Sequence, residues 1–307
     1  MVNGILAALS SSPSIARPFL PQNPNPRRAI FHRSRWRFGS QLLGSSSPSV
    51  RRLRGHFSST GSMDLPLLPF ELSEVLIPSE CKTLHLYEAR FLALLEESLL
   101  KRKKAFVHFV LDPVLMSRSS SRASFAARYG CLVHIESINK LEIGALVTIR
   151  GICRVSIVEL VQMEEPYLRG VVVPMLDKIS YEESESNFRL SELKESIHNL
   201  HSLQIKLKTS KEELLQTNIK KSLLWAESEV FEDCSQAFIP KVAERVSFAA
   251  FQSVSGMTAA ELHTLQREKL QAMDTRDTLE RLGNGIEFVK QNINMVAAKL
   301  AIQSLQM

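Results

Sequence analysis

Between Leu65 and Leu100 the spacing of apolar positions changes once, and the change separates two kinds of element. LPLLPF, VLI and KTLHL are short apolar runs punctuated by Pro66, Pro69 and Pro78. Runs of this length predict strands, and proline, lacking the N–H that a ladder needs, cannot be central in a sheet at those positions. In YEARFLALLEESLL the spacing becomes three and four: Phe91, Leu92, Leu95 and Leu99 mark the apolar side of a helix, with Glu88, Glu96 and Glu97 on its other faces. Lys101 to Lys104 follow as a solvated cationic cap that complements the helix dipole. AFVHFVL returns to period two, with Phe106, His108 and Val110 alternating against Val107 and Phe109. Asp112 to Arg128 is rich in Ser and Arg without clear period, which predicts a long mobile loop.

From Tyr129 to Met175 the β signal is densest, in YGCLVHIESI, ALVTIRGICRVSIVELVQ and YLRGVVVPM, joined through Asn139–Gly144 and Glu164–Pro166. Gly151 inside the second run predicts a bulge or a close backbone approach. About seven strands within ~110 residues are enough to close, or nearly close, a barrel. After Lys178 the period is helical. Ser180 with Glu183, Ser210 with Glu213 and Thr258 with Glu261 have capping-box spacing and predict three helix starts. Leu193, Ile197, Leu200 and Leu207 line one helix; Val242, Val246, Ala249 and Ala250 line another, with Gly256 as its stop. Leu279, Leu282, Ile286, Val289, Ile293, Val296 and Leu300 alternate spacings of three and four, a heptad seam. Such a seam packs within its own bundle, which Gly283 and Gly285 favour by weakening an isolated coil, or joins a second copy as a homo-oligomer. The expected class is α+β, with a β-rich part at 63–178 and a helical part at 179–307.

Three stretches carry a family resemblance. RGICRVSIVEL, with Gly151 and Arg154 followed by Ile157 and Leu160, resembles a recurrent Gly-x-x-Arg strand of the amino-terminal substrate-binding domain of Lon proteases. EEPYLRGVVVPM, with Pro166, Tyr167 and Leu168, resembles the segment that follows it, and TRDTLERL, with Thr275, Asp277, Arg281 and Leu282, the start of the last long helix. The leucine-proline opening fits the same family, so the resemblance spans residues 65 to 303. It implies a PUA-like β pseudobarrel followed by a helical bundle ending in a long helix. For function it implies a domain that binds unfolded or specific client polypeptides, or an adaptor to a protease partner. The expected mechanism is physical: apolar side chains at the junction of barrel and helices, helped by an unpaired strand edge, accept extended peptide through backbone hydrogen bonds.

Composition shifts this picture at the start of the chain. Residues 1–62 hold nine arginines and no Lys, Asp or Glu; of the net +6, that leaves −3 on the rest. The basic balance belongs to a Ser-, Arg- and Pro-rich leader with the composition of an organelle transit peptide, chloroplast in preference to mitochondrion. The mildly acidic remainder argues against a nucleic-acid partner. Ile5 to Leu9 is far shorter than the ~18 apolar residues a membrane span needs, so no membrane association is expected.

Candidate chemistry is sparse. No glycine is followed by lysine, so the phosphate-cradling loop of an ATPase is missing, and no GxSxG elbow occurs. Cys81, Cys131, Cys153 and Cys234 show neither zinc nor disulfide spacing; Cys131 and Cys153 fall in strand runs as small buried hydrophobes. His134 and Glu136 share a strand face and read as cross-strand polar contacts; His198 and His201 share a helix face, but nothing nearby completes a metal site. The expectation is a protein without catalytic, cofactor-binding or metal-binding residues, whose peptide-binding residues the sequence does not assign.

Overall fold

The computed structural model describes residues 61–114, 124–161, 166–177, 183–207, 217–228 and 234–305. Strands β1 (Met63–Glu71), β2 (Cys81–Leu86), β3 (Ala105–Val114), β4 (Ser124–Lys140), β5 (Ala145–Val161) and β6 (Leu168–Pro174) come first, with α1 (Ala89–Lys101) between β2 and β3. Helices α2 (Glu183–Leu207), α3 (Asn218–Glu227), α4 (Val242–Ala249), α5 (Ala259–Asp274) and α6 (Thr278–Leu305) follow. The expected α+β class is what the chain adopts.

The strands run β2-β5-β4-β3-β1-β6, and β6 pairs back onto β5, closing a ring of β5, β4, β3, β1 and β6. Closure uses the length of β5: Ala145–Arg150 pair with β2, while Val155–Val161 pair with β6 along the same side. Both prolines of β1 fit this scheme. Pro66 lies where β1 pairs with β6, and Pro69 where it pairs in parallel with β3. Each therefore has a ladder on one side only, and its missing N–H breaks no second one. Alternation along β3 sorts Phe106 and Val110 into a core shared with the helices. Ala105, Val107 and Phe109 go to a smaller one fed by every ring strand and by Phe238.

Several sequence expectations fail here. VLI is not a strand: Val75, Leu76 and Ile77 are buried, but they lie in a loop after a short 3-10 turn at Leu72–Glu74. Burial without a ladder mimics a strand in composition. The expected loop at Asp112–Arg128 is partly strand, with Leu111–Val114 pairing against Ala127–Ser124; residues 115–123 lie outside the described residues. Pairing begun in the first half of β3 runs on past a register shift between Val110 and Leu111, because the ladder is made by the main chain and needs no periodic pattern of side chains. The Ser180 and Ser210 boxes also lie outside the described residues, and α3 is capped instead by Thr217, whose hydroxyl accepts from the Lys220 N–H at 3.3 Å. The Thr258–Glu261 box is present in full. Val242, at the start of α4, is 39% exposed, and the helix ends at Ala249, so Gly256 stops nothing; with φ +76° it turns the chain toward α5.

The heptad seam packs inside the chain. Leu282, Ile286, Val289 and Val296 are buried with Leu193, Ile197 and Leu200 of α2, and Ile293 and Leu300 rest on the same core, while Leu279 is half-buried. A second copy cannot use this stripe without unpacking it, which corrects the homo-oligomer expectation for these residues. Gly285 is part of the reason: a Cβ there would lie 2.9 Å from that of Ala250, so its absence lets α6 close on the end of α4.

His108 has a measurable role in this core. It is 1% exposed and stacks on Phe70 with ring centroids 3.8 Å apart. Burial, reinforced by the charge of Lys82, holds its pKa well below the ordinary 6.5. The unfolded chain therefore takes up a proton that the folded chain refuses, and stability falls as pH drops below 6.5. Urea unfolding at successive pH values is expected to show this loss, approaching about 1.4 kcal/mol per pH unit. A His108→Phe variant, which keeps the stack, is expected to flatten it.

Candidate polypeptide-binding edge

The junction of barrel and helices, expected to receive peptide, is filled by buried charge. Arg154 of β5 is 1% exposed and donates to the main-chain carbonyls of Met273 at 3.1 Å and Thr275 at 2.6 Å, to Glu244 at 3.3 Å and to Asp177. Arg281 of α6, fully buried, donates to the same Asp177, to the Thr275 carbonyl at 2.7 Å and to the Ser247 hydroxyl at 2.7 Å. Both guanidinium groups lie over Phe248, at 5.3 and 4.1 Å. Burial alone would raise the pKa of Asp177, but hydrogen bonds from Arg281 and Thr278 and the arginine charges outweigh it and hold the carboxyl below its usual range. Glu244 moves the other way, raised by burial and by the charge of Asp177. Thus Arg154 and Arg281, each singled out by a family-like motif, meet at one carboxylate and join the two halves of the chain.

A second tie runs through the loop before β2. Gly151 sits at a bulge where β5 carries one extra residue against β4. Its N–H donates to the Glu80 carbonyl at 2.9 Å, and its carbonyl accepts from the Ser79 N–H at 2.9 Å. The Ser79 carbonyl accepts from Arg150 at 3.0 Å and from the Ser222 hydroxyl of α3 at 2.9 Å, and Glu80 pairs with Lys269 of α5 at 2.5 Å. Tyr129 donates to Asp274 at 2.8 Å across the same junction.

Away from this filled junction, a strand edge lies at β2. This strand ends the sheet order with β5 as its one neighbour among the described residues. In an antiparallel pair, alternate residues aim their N–H and C=O away from the partner, so β2 presents main-chain donors and acceptors along its outer side. At its end stands an exposed apolar group: Tyr87 is 41% exposed, Leu141 40% and Ile143 73%. The β4–β5 turn brings them together. Gly144, at φ +85°, leaves room for the Leu86 carbonyl, which a Cβ would approach to 2.2 Å. His85 donates from Nε2 to the Ile143 carbonyl at 3.0 Å, and its ring stands 5.4 Å from that of Tyr87. In the sequence Asn139–Gly144 reads as a connection only; two large apolar residues, Leu141 and Ile143, inside a turn are the signal that it does more.

The histidine pairs are structural. Glu136 bulges from β4 and accepts from Arg150 Nε at 2.6 Å; His134 lies opposite Arg150 in the ladder. His201 bonds Thr217 at 3.1 Å, and His198 contacts Lys220 at 3.1 Å. Cys131 and Cys153 are buried, as expected, with their thiols raised by burial. Among the described residues no group of His, Cys, Asp and Glu could hold a metal ion, and no helix is long and apolar enough to cross a membrane.

Fold and edge together define an α+β module whose accessible chemistry is main-chain hydrogen bonding beside apolar contact. The chain belongs to the family of the substrate-binding domain of ATP-dependent protease La (Lon), whose model matches residues 64–291. Among solved structures it is similar to the N-terminal domain of Mycobacterium avium complex Lon protease, with 13% identity, a TM-score of 0.41, and coverage of 74% of this chain and 98% of that one. It is also similar to a Lon N-terminal domain protein from Xanthomonas campestris, with 16% identity, a TM-score of 0.36, and coverage of 72% and 95%. No curated protein matches the chain.

Proposed function

We propose that this chain binds client polypeptides without cutting them, acting alone or as an adaptor that delivers them to a protease partner. The observation that carries this reading is the open edge of β2 beside Tyr87, Leu141 and Ile143, in a chain of the Lon substrate-binding family. An unfolded segment adds a strand through its main chain, whatever its sequence, and places one apolar side chain against the turn. That combination suits clients recognised by exposure of backbone and apolar groups. In the proposed organisation residues 1–62 are a transit peptide, 63–178 the client-binding part and 179–307 a helical support; the arginine-rich, acid-free leader supports work in the chloroplast, with the mitochondrion as the alternative.

The test is capture of chemically denatured client on the immobilised chain, against the same client kept native. Selective recovery of the denatured form is expected, and equal recovery of both would sink the reading. Ile143→Asp is expected to weaken binding about tenfold, as loss of an apolar anchor does. At 73% exposure its stability should change by no more than about 0.5 kcal/mol. Titration of a labelled unfolded peptide, with a parallel melting curve, checks both. Participation in ATP-dependent proteolysis by the chain itself is a separate outcome, which hydrolysis of ATP or casein by the purified protein would reveal.

A further inference from the structure

At the end of α1 the backbone adopts a conformation that suits glycine, yet the sequence places two lysines there. Lys103 and Lys104 have φ of 49° and 61°. The reversal into β3 requires this: Lys104 N–H donates to the Ser98 carbonyl at 2.9 Å, Ala105 N–H to Arg102 at 2.9 Å, and Ile135 N–H to Lys104 at 2.8 Å. Side chains in left-handed conformations are strained by their Cβ; such strain persists where the surrounding structure over-determines it, and it clusters at binding and active sites.

The charges around the two lysines are unevenly paired. Lys101 and Arg102 share Glu97, at 3.7 and 3.2 Å, and Arg102 also reaches Asp64 at 3.3 Å. Glu97, expected on a solvent face, is buried because it accepts from the Tyr167 hydroxyl at 2.8 Å and faces Arg169 at 3.6 Å. These carboxylates are already engaged. Lys103 and Lys104 are exposed and have no ion-pair partner among the described residues. Three residues before Lys103, at the last turn of α1, Leu100 is 74% exposed, and exposed Glu96 lies one turn back.

We propose that Lys103 and Lys104, with Leu100, dock an acidic polypeptide segment that carries an apolar side chain. The site stands at the opposite end of α1 from Tyr87, roughly 20 Å along the helix, and is independent of the β2 edge. Two unpaired ammonium groups and one leucine match a short segment. A nucleic-acid duplex or an anionic bilayer presents a much wider negative field, against which the body of the protein, net −3 beyond residue 62, is repelled.

The test is fluorescence anisotropy of the full chain with a short labelled peptide of Glu, Asp and Leu. Lys103→Gly with Lys104→Gly is expected to raise the melting temperature, because the strain is relieved, and to lower affinity about tenfold, at up to about fivefold for each exposed charge contact. The charge-reversing pair Lys103→Glu and Lys104→Glu, which keeps the strain, should abolish binding, and Leu100→Ser should weaken it. Added salt should weaken the wild-type complex, since exposed charges are screened within about 8 Å at physiological ionic strength. Three results overturn the proposal: no binding by wild type, unchanged affinity in both double variants, or stronger lysine-dependent binding to duplex DNA or phosphatidylserine vesicles than to the peptide.

Discussion

Asp177→Ala is expected to destabilise the protein by about 3–5 kcal/mol, the range for removing one member of a buried ion cluster. The reason is what it leaves behind. Arg154 and Arg281, with side chains 1% and 0% exposed, both bond this carboxylate, and without it they face each other with Glu244 alone for compensation. Asp177→Asn, which retains hydrogen-bonding capacity without the charge, should cost less. The pH dependence has a definite sign. A carboxyl held below its ordinary 3.8 contributes stability that is present above that value and lost as pH falls through the depressed folded value. The gap between wild type and variant should therefore be widest near neutrality and narrow in acid below 3.8. Urea unfolding at neutral pH and in acid measures it; a constant gap would mean that the carboxylate's charge is not what matters.

Gly151→Ala is expected to be nearly as damaging, about 3 kcal/mol, at the upper end of overpacking costs. Its new Cβ would stand 2.3 Å from the Ile77 carbonyl oxygen and 3.0 Å from Cys131 Sγ. The first neighbour is main chain and cannot swing aside. Relief requires the 77–80 loop to move, with loss of its bonds to Gly151, Ser222 and Lys269. Thermal unfolding of the variant checks the magnitude, and Cys131→Ala in the same background separates the two contacts. If removing the sulfur restores stability, the carbonyl clash is the lesser cause.

These residues show how far a sequence can be read. Period two along β3, β4 and β5 and period three to four along α1, α2 and α6 are consequences of burying one face, and the chain states them openly. Gly151, Arg154, Asp277 and Arg281 stood out as family-like positions, yet their partners did not. Asp177 is 23 residues from Arg154 and 104 from Arg281, and no local pattern encodes a contact at that separation. Glu97 was misplaced for the same reason, since helical spacing reports the face of a residue but not which distant arginine will cover it. The candidate edge was legible only after the ring closed. That β2 has one neighbour depends on β6 taking the other half of β5, a fact of topology and not of any residue in β2.

The pairing order has a last consequence, for a chain that emerges from a ribosome or a translocation pore amino end first. The strands of the ring are complete by Pro174, but three of the partners that Arg154 needs lie 90, 119 and 121 residues after that arginine, on α4, on α5 and just past the end of α5. Until Thr275 has emerged, the ring carries an arginine without its full set of acceptors, and until the helices follow it carries an apolar face awaiting them. The nascent barrel is thus for a time the kind of exposed polypeptide that its finished form is proposed to recognise.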